Sequence, residues 1–217
     1  KSLFMFICVS GVAFMLRGGL LTFGHALFYA TGAYTVGFMV KWFGVHELLI
    51  VLPLGALTGF IMASLVGLIM ARYREVFFAM LNLAFSMMLF GALLKFYRVT
   101  GGTDGLPIGT PTLLGFEIES DSLSFYYFSL VIVAIVAYVI HRFMASPNGF
   151  YLRALHDNEI RIEYSGVSVR QVIYRTYILA GTLGGVSGVL AAFTIGHIVP
   201  EDAFWIQSGE FVFVALL

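Results

Sequence analysis

The chain has 217 residues, 60% of them apolar and 11% charged, where soluble domains carry about 45–50% apolar and about 25% charged residues. So little polar surface cannot coat a globule in water, which excludes a soluble domain. Twelve basic and twelve acidic residues cancel, so net charge gives no reason to expect a nucleic-acid partner.

A bilayer-crossing helix needs about 20 mostly apolar residues. The runs, in chain order, are residues 2–16 (short, ended by Arg17), 26–43, 48–71, 76–94, 123–140 and 176–195, with a seventh beginning near Ala203. Lys1 ahead of an apolar stretch could mark a signal peptide, but the further runs favour a true span. The lack of an initiating methionine and the apolar residues 211–217 lead us to expect an excerpt with more membrane protein following. Lipid offers no hydrogen bonds, so the runs must be helices or strands of a closed barrel. They are longer and more continuous than barrel strands, so an all-α, polytopic bundle is expected, one transmembrane domain over residues 1–217. Cys8, the single cysteine, can form neither an internal disulfide nor a metal cage and reads as a packing residue.

Basic residues set orientation. Arg142, Arg153, Arg161, Arg170 and Arg175 make the segment before residue 176 cytoplasmic, and Arg72 and Arg74, two crossings earlier, agree. Residues 95–122 then lie outside, carrying Asp104, Glu117, Glu119 and Asp121 against Lys95 and Arg98. Between the first two runs, residues 18–25 (Gly18, Gly19, Leu20, Leu21, Thr22, Phe23, Gly24, His25) are either a tight cytoplasmic turn or an unwound break inside the membrane. Small residues recur four apart at Gly55, Gly59, Ala63 and Gly67, at Gly181 and Gly185, and at Gly184 and Gly188; Ala26, Ala30, Ala33 and Gly37 form a further stripe. Such stripes let helix backbones approach closely where no hydrophobic effect drives association.

Residues 146–168 form the expected cytoplasmic segment. Ser146-Pro147-Asn148-Gly149 signals a turn. A helix over 151–165 follows, with Leu152, Leu155, Glu159 and Ile162 on one face and Gly166 placed to end it. Ser168 and Gln171 fit a capping box opening the next helix, which runs into the sixth span. The segment is either a solvated connection or a docking element for a cytoplasmic partner.

These residues resemble a known family. Glu159 followed seven residues later by Gly166 resembles the coupling segment of ABC-importer permeases. Four stretches in this order are similar to the LivM-type permease of branched-chain amino acid importers: Leu21-Thr22-Phe23-Gly24-His25-Ala26 with Gly32-Ala33-Tyr34-Thr35; Phe78-Ala79-Met80-Leu81-Asn82-Leu83-Ala84-Phe85; Thr100-Gly101-Gly102-Thr103-Asp104-Gly105-Leu106; and Arg153-Ala154-Leu155-His156-Asp157-Asn158-Glu159-Ile160.

The resemblance implies a non-enzymatic transport subunit of a bacterial inner membrane. Its partners would be a second, non-identical permease, two ATPase subunits carrying ATP and Mg, and an external solute-binding protein. The chain itself needs no cofactor and has no phosphate loop of the Gly-x-x-x-x-Gly-Lys-Ser/Thr type. Coupling to the ATPases falls to Arg153, Leu155, Asp157, Asn158, Glu159, Glu163 and Gly166. The binding protein is expected near residues 100–122, with Thr100, Gly101, Gly102, Thr103, Asp104 and Gly105 as the external-loop candidates, and near 196–203. Thr22, Gly24, His25 and Asn82 are candidates for the substrate path, though His25 and Asn82 can equally serve packing, and Arg17 can mark a membrane boundary. Related permeases take urea, amides or small acids. A stand-alone secondary transporter would need charges within its spans, and the interiors of spans three to six carry none. A membrane enzyme would need clustered His, Asp, Glu or Cys, and the five histidines are scattered.

Overall fold

A computed structural model describes residues 2–113, 115–118, 122–157 and 159–217, with the side chain of Asp157 also outside the description. Helices α1 (Ser2–Leu16) and α2 (Ala26–Phe38, continued by a π turn to Phe43) are joined by the non-helical residues 18–25. Then come α3 (Leu48–Met70), α4 (Glu75–Lys95) and the one-turn α5 (Tyr97–Thr100). Short strands β1 (Leu106–Pro107), β2 (Thr112–Leu113) and β3 (Phe116–Glu117) lead to α6 (Leu123–Met144). Helices α7 (Pro147–Asp157) and α8 (Glu159–Tyr164) flank residue 158, and α9 (Val169–Ile195) is the longest. Strand β4 (His197–Ile198), a 3-10 turn (Pro200–Ala203) and α10 (Trp205–Leu216) follow.

The protein is therefore all-α and polytopic. Among the described residues four helices, α3, α4, α6 and α9, are long and apolar enough to cross a membrane; α1 and α10 are shorter apolar helices. The first run is the short helix foreseen, and the second is shortened by the non-helical residues 18–25 that precede it.

Helix α9 is the centre of the bundle. Its small residues point in two directions: Gly181 and Gly185 meet α3, whereas Gly184 and Gly188 meet α2. A Cβ on Gly32 would lie 2.0 Å from the Gly185 carbonyl oxygen, and one on Gly55 would lie 2.1 Å from Val189 Cγ2. No side chain fits there, so the stripes foreseen in the sequence are seams of backbone contact. Cys8 is a buried free thiol in the cluster of Phe4, Ile7, Leu190 and Phe211 that joins α1, α9 and α10.

The loops sort onto two faces. On one face Arg74 Nε meets Glu159 Oε1 at 2.7 Å, and Gly18 packs on Leu152. On the other, Lys41 Nζ donates to the carbonyls of Arg98 and Val99, and β1 pairs antiparallel with β4, Leu106 opposite Ile198. The expected outer acids Glu119 and Asp121 lie outside the described residues.

Two local expectations need correction. The turn at 146–149 is tighter than foreseen: α7 already begins at Pro147, whose missing N–H costs nothing in a first helical turn, and the helix expected from residue 151 therefore starts four residues early. Ser168 does open α9, but its side chain makes no capping hydrogen bond. Instead Gln171 N donates to the Ser168 backbone carbonyl; helix ends can leave their remaining N–H groups to water.

Candidate functional site

Helix α1 ends in a turn in which Gly18 N and Leu20 N both donate to the Met15 carbonyl, at 3.0 and 3.2 Å. Gly19 takes φ +72° there, a left-handed conformation that glycine adopts without penalty. A Cβ on Gly18 would sit 2.3 Å from Leu152 Cδ1, and one on Gly19 would face His156, so this turn rests on α7. The chain then climbs without helical structure. His25 arrives between Gly11 of α1 and Gly184 of α9, its Nε2 3.0 and 3.4 Å from where their Cβ atoms would be. Gly11 is seven residues above Gly18 on α1, roughly 10 Å at 1.5 Å per residue. Residues 18–25 are thus a break that returns to the level of the middle of α9, and α2 starts there.

The break is closely packed. Gly24 lies on α4, where a Cβ would come 2.2 Å from the Asn82 carbonyl oxygen. Gly24 N donates to Thr22 Oγ1, and Thr22, His25 and Asn82 are all fully buried. Asn82 Nδ2 donates to the Phe78 carbonyl at 2.8 Å, while its Oδ1 accepts from the Tyr177 hydroxyl of α9. His25 stands edge-on to Phe28, and neither of its ring nitrogens has a hydrogen-bond partner among the described residues.

A second break descends from the opposite face. Gly196, at φ +75°, ends α9, and after β4 the 3-10 turn dips inward until Ser86 Oγ, near the middle of α4, donates to the Ala203 carbonyl at 2.7 Å. Helix α10 begins there, and its Ser208 Oγ accepts from Ala26 N, the first helical amide of α2, at 2.8 Å. Asn82 and Ser86, one turn apart on α4, therefore hold one break each, and Ser208 ties the two together. Sequence reasoning singled out Asn82 but missed Ser86 and Ser208. The four-residue spacing of Asn82 and Ser86 was the available signal for the first; nothing local marked the second.

A cleft of about 490 Å³ opens beside the first break, walled by Leu21 and Phe23 and by Val76, Ala79, Met80 and Leu83 of α4, with Glu75 also in its lining. Thr22, Gly24, His25 and Asn82 stand behind this cleft in the packed interior rather than on its wall. Glu75 has φ +50°, a strained backbone for a residue with a side chain.

The outer candidates form one compact unit. Gly101, Gly102 and Gly105 all take positive φ. Thr100 Oγ1 donates to the Leu93 carbonyl at 2.6 Å and accepts from Gly102 N, and Tyr97 donates its hydroxyl to Asp104 Oδ2 at 2.6 Å. Thr103 and Asp104 are exposed at the tip. The β1–β4 pair joins this loop to 197–198, uniting the two expected outer regions. Glu47 Oε2, from the α2–α3 connection, accepts a hydrogen bond from Thr112 Oγ1, a contribution the sequence did not reveal.

On the face that carries Arg74 and Glu159, Leu152, Leu155 and Ile162 are buried and hold α7 and α8 beneath the bundle. The coupling candidates separate accordingly. Leu155 is part of that buried anchor, and Glu159 is paired with Arg74. Arg153 donates to the carbonyls of Gly149 and Met144, closing the α6–α7 turn. Glu163 and Gly166 are exposed, Gly166 with φ +82° and open space around it. Asn158 and the Asp157 side chain lie outside the described residues. Phe150, Ile160 and Tyr164, which the sequence reading passed over, are 64%, 62% and 87% exposed, an apolar display out of place on a merely solvated loop.

Helices of membrane-spanning length, two half-depth breaks meeting at one level and an anchored helical segment on one face define a multi-pass membrane protein of the transport-permease class. The family model for the permease component of branched-chain amino acid transport systems matches residues 1–217, and the chain belongs to that family. Three relatives are LivM permeases by name. The high-affinity branched-chain amino acid transport system permease proteins of Escherichia coli K12 and Salmonella typhimurium LT2 are each 28% identical over 222 residues, covering 92% of this chain and 52% of theirs. A probable branched-chain amino acid transport permease protein of Methanocaldococcus jannaschii is 25% identical over 175 residues, covering 80% of this chain and 50% of its own. The chain thus spans about half the length of the curated relatives it matches. No solved structure matches it.

Proposed function

We propose that the protein is the membrane-spanning permease subunit of an ATP-driven importer of branched-chain amino acids in a bacterial inner membrane. It works with a second, non-identical permease, two ATPase subunits that bind and hydrolyse ATP with Mg, and an external solute-binding protein. The observation that carries this reading is the seating of Gly18 on Leu152. Helix α7 offers an exposed surface to a cytoplasmic partner, and its buried side supports the foot of the break. A partner that shifts α7 between two positions therefore shifts the break as well, which is the differential contact that coupling requires. The cleft of Leu21, Phe23, Ala79, Met80 and Leu83 suits a branched aliphatic side chain, with Glu75 available to the ammonium group, and the loop at 100–105 with β4 is the landing surface for the binding protein.

The test is reconstitution of the full-length protein with its ATPase subunits and binding protein in vesicles, reading ATP-dependent leucine uptake and ATP hydrolysis together. Replacing Gly18 by Leu should leave the ATPases bound and active while uptake falls about tenfold or more, as misplacement of a positioned group does. Leucine uptake that persists without the ATPase subunits would refute the proposal.

A further inference from the structure

A second cleft, of about 330 Å³, lies between α1 and α6. Its walls are Phe6, Ala13 and Phe14 of α1 and Ala137 and Ile140 of α6, side chains that suit a hydrocarbon chain. Arg17 and His141 also line it. Arg17 directly precedes Gly18, which rests on cytoplasmic helix α7, so the Arg17 charge stands at the depth of the lipid headgroups. The Arg17 guanidinium is exposed and makes no ion pair or hydrogen bond with any described residue. The carbonyl ends of α1 and α6 converge nearby, but each carries only about half a negative charge, so a full counter-charge is still wanting.

We propose that this cleft is a binding site for an anionic phospholipid of the cytoplasmic leaflet, its phosphate on Arg17 and His141 and one acyl chain between α1 and α6. Basic pockets between membrane helices on that side recognise such headgroups. Charge complementarity selects the occupant: a neutral helix would leave Arg17 unpaired, and a zwitterionic lipid would bring its own cation to the same place. The inference does not depend on the transport reading, because it rests only on the cleft between α1 and α6 and on the groups that line it.

The experiment uses the assembled, full-length protein, mildly delipidated and offered equal phosphatidylglycerol and phosphatidylcholine, with retained lipid read by native mass spectrometry. Phosphatidylglycerol should be retained over phosphatidylcholine roughly fivefold or more, and the preference should collapse in Arg17→Gln. Ala137→Trp, an exposed position on α6, should fill the cleft and lower retention with the charge intact. A photoreactive group at Ala137 should capture lipid. Equal retention of the two lipids, an unaltered preference in Arg17→Gln, or capture of a protein segment at Ala137 would each overturn the site.

Discussion

Helices α6 and α9 are both membrane-spanning, yet they occupy opposite situations. Helix α6 is nearly all large apolar side chains and buries only Phe125, Ser129 and Val136 among its residues. Helix α9 carries arginines in its first turns and glycines in its middle, and is buried on several sides against α1, α2 and α3. In water the greasier helix would be the core. In lipid the hydrophobic effect does not distinguish helix from acyl chain, so the centre goes to the helix whose backbone can be approached most closely. The exposed flanks of α6, such as Leu130, Val131 and Ile135, are therefore suited to lipid or to another apolar surface.

The largest test of this contrast is a bulky residue on each helix. Gly185→Leu would drive a side chain into the backbones of Gly55 and Gly59. It should cost about 3 kcal/mol or more, at or beyond the usual upper range for overpacking, and abolish the monodisperse fraction in detergent. Ala134→Leu on the exposed face of α6 should leave yield and thermal transition unchanged. If both variants behave alike, backbone proximity is not what makes α9 central.

Much of this was legible beforehand, because glycine spacing and arginine placement are local properties of a sequence. The stripes at Gly181, Gly184, Gly185 and Gly188 pointed to close approach, and Arg74 and the 142–175 arginines fixed which loops share a face. The depth of residues 18–25 was not legible. A Gly-rich turn and a Gly-rich break have the same composition, and only the placement of His25 against Gly11 and Gly184 separates them. The partners of Ser86 and Ser208 were hidden for a similar reason: each bonds a backbone group more than a hundred residues away, which no local pattern encodes. The coupling candidates were read as surface contacts, but Arg153 and Glu159 have partners inside the chain, since a helix pinned under a bundle uses some of its charges to hold itself in place.

A smaller effect sharpens the contrast further. Helix α9 carries a buried polar tie, the Tyr177 hydroxyl on Asn82, whereas the buried Ser129 hydroxyl of α6 has no partner among the described residues. Tyr177→Phe should cost about 0.6 kcal/mol, the average for hydrogen bonds between membrane helices, and no more than about 1.7 kcal/mol, the largest measured, and Ser129→Ala should cost nothing or stabilise. Thermal unfolding in detergent distinguishes them, and an equal loss from both would show that the two hydroxyls are equivalent.

The smallest expected change in stability belongs to Arg74 and Glu159, which fasten α8 to the α3–α4 turn at the foot of the bundle. Their side chains are 28% and 41% exposed, so water screens the pair and its coupling energy should be about 0.2–1 kcal/mol. The functional consequence should be larger than the energetic one, because the pair fixes where α8 stands rather than whether the bundle folds. Glu159→Ala should therefore insert and fold normally while ATP-dependent uptake falls. The exchange of Arg74→Glu with Glu159→Arg restores the ion pair but alters the charge that faces a partner. Recovery of uptake in the exchanged protein would assign Glu159 to holding α8 in place, and continued loss would assign it to the partner's surface; normal uptake in Glu159→Ala would remove it from coupling altogether.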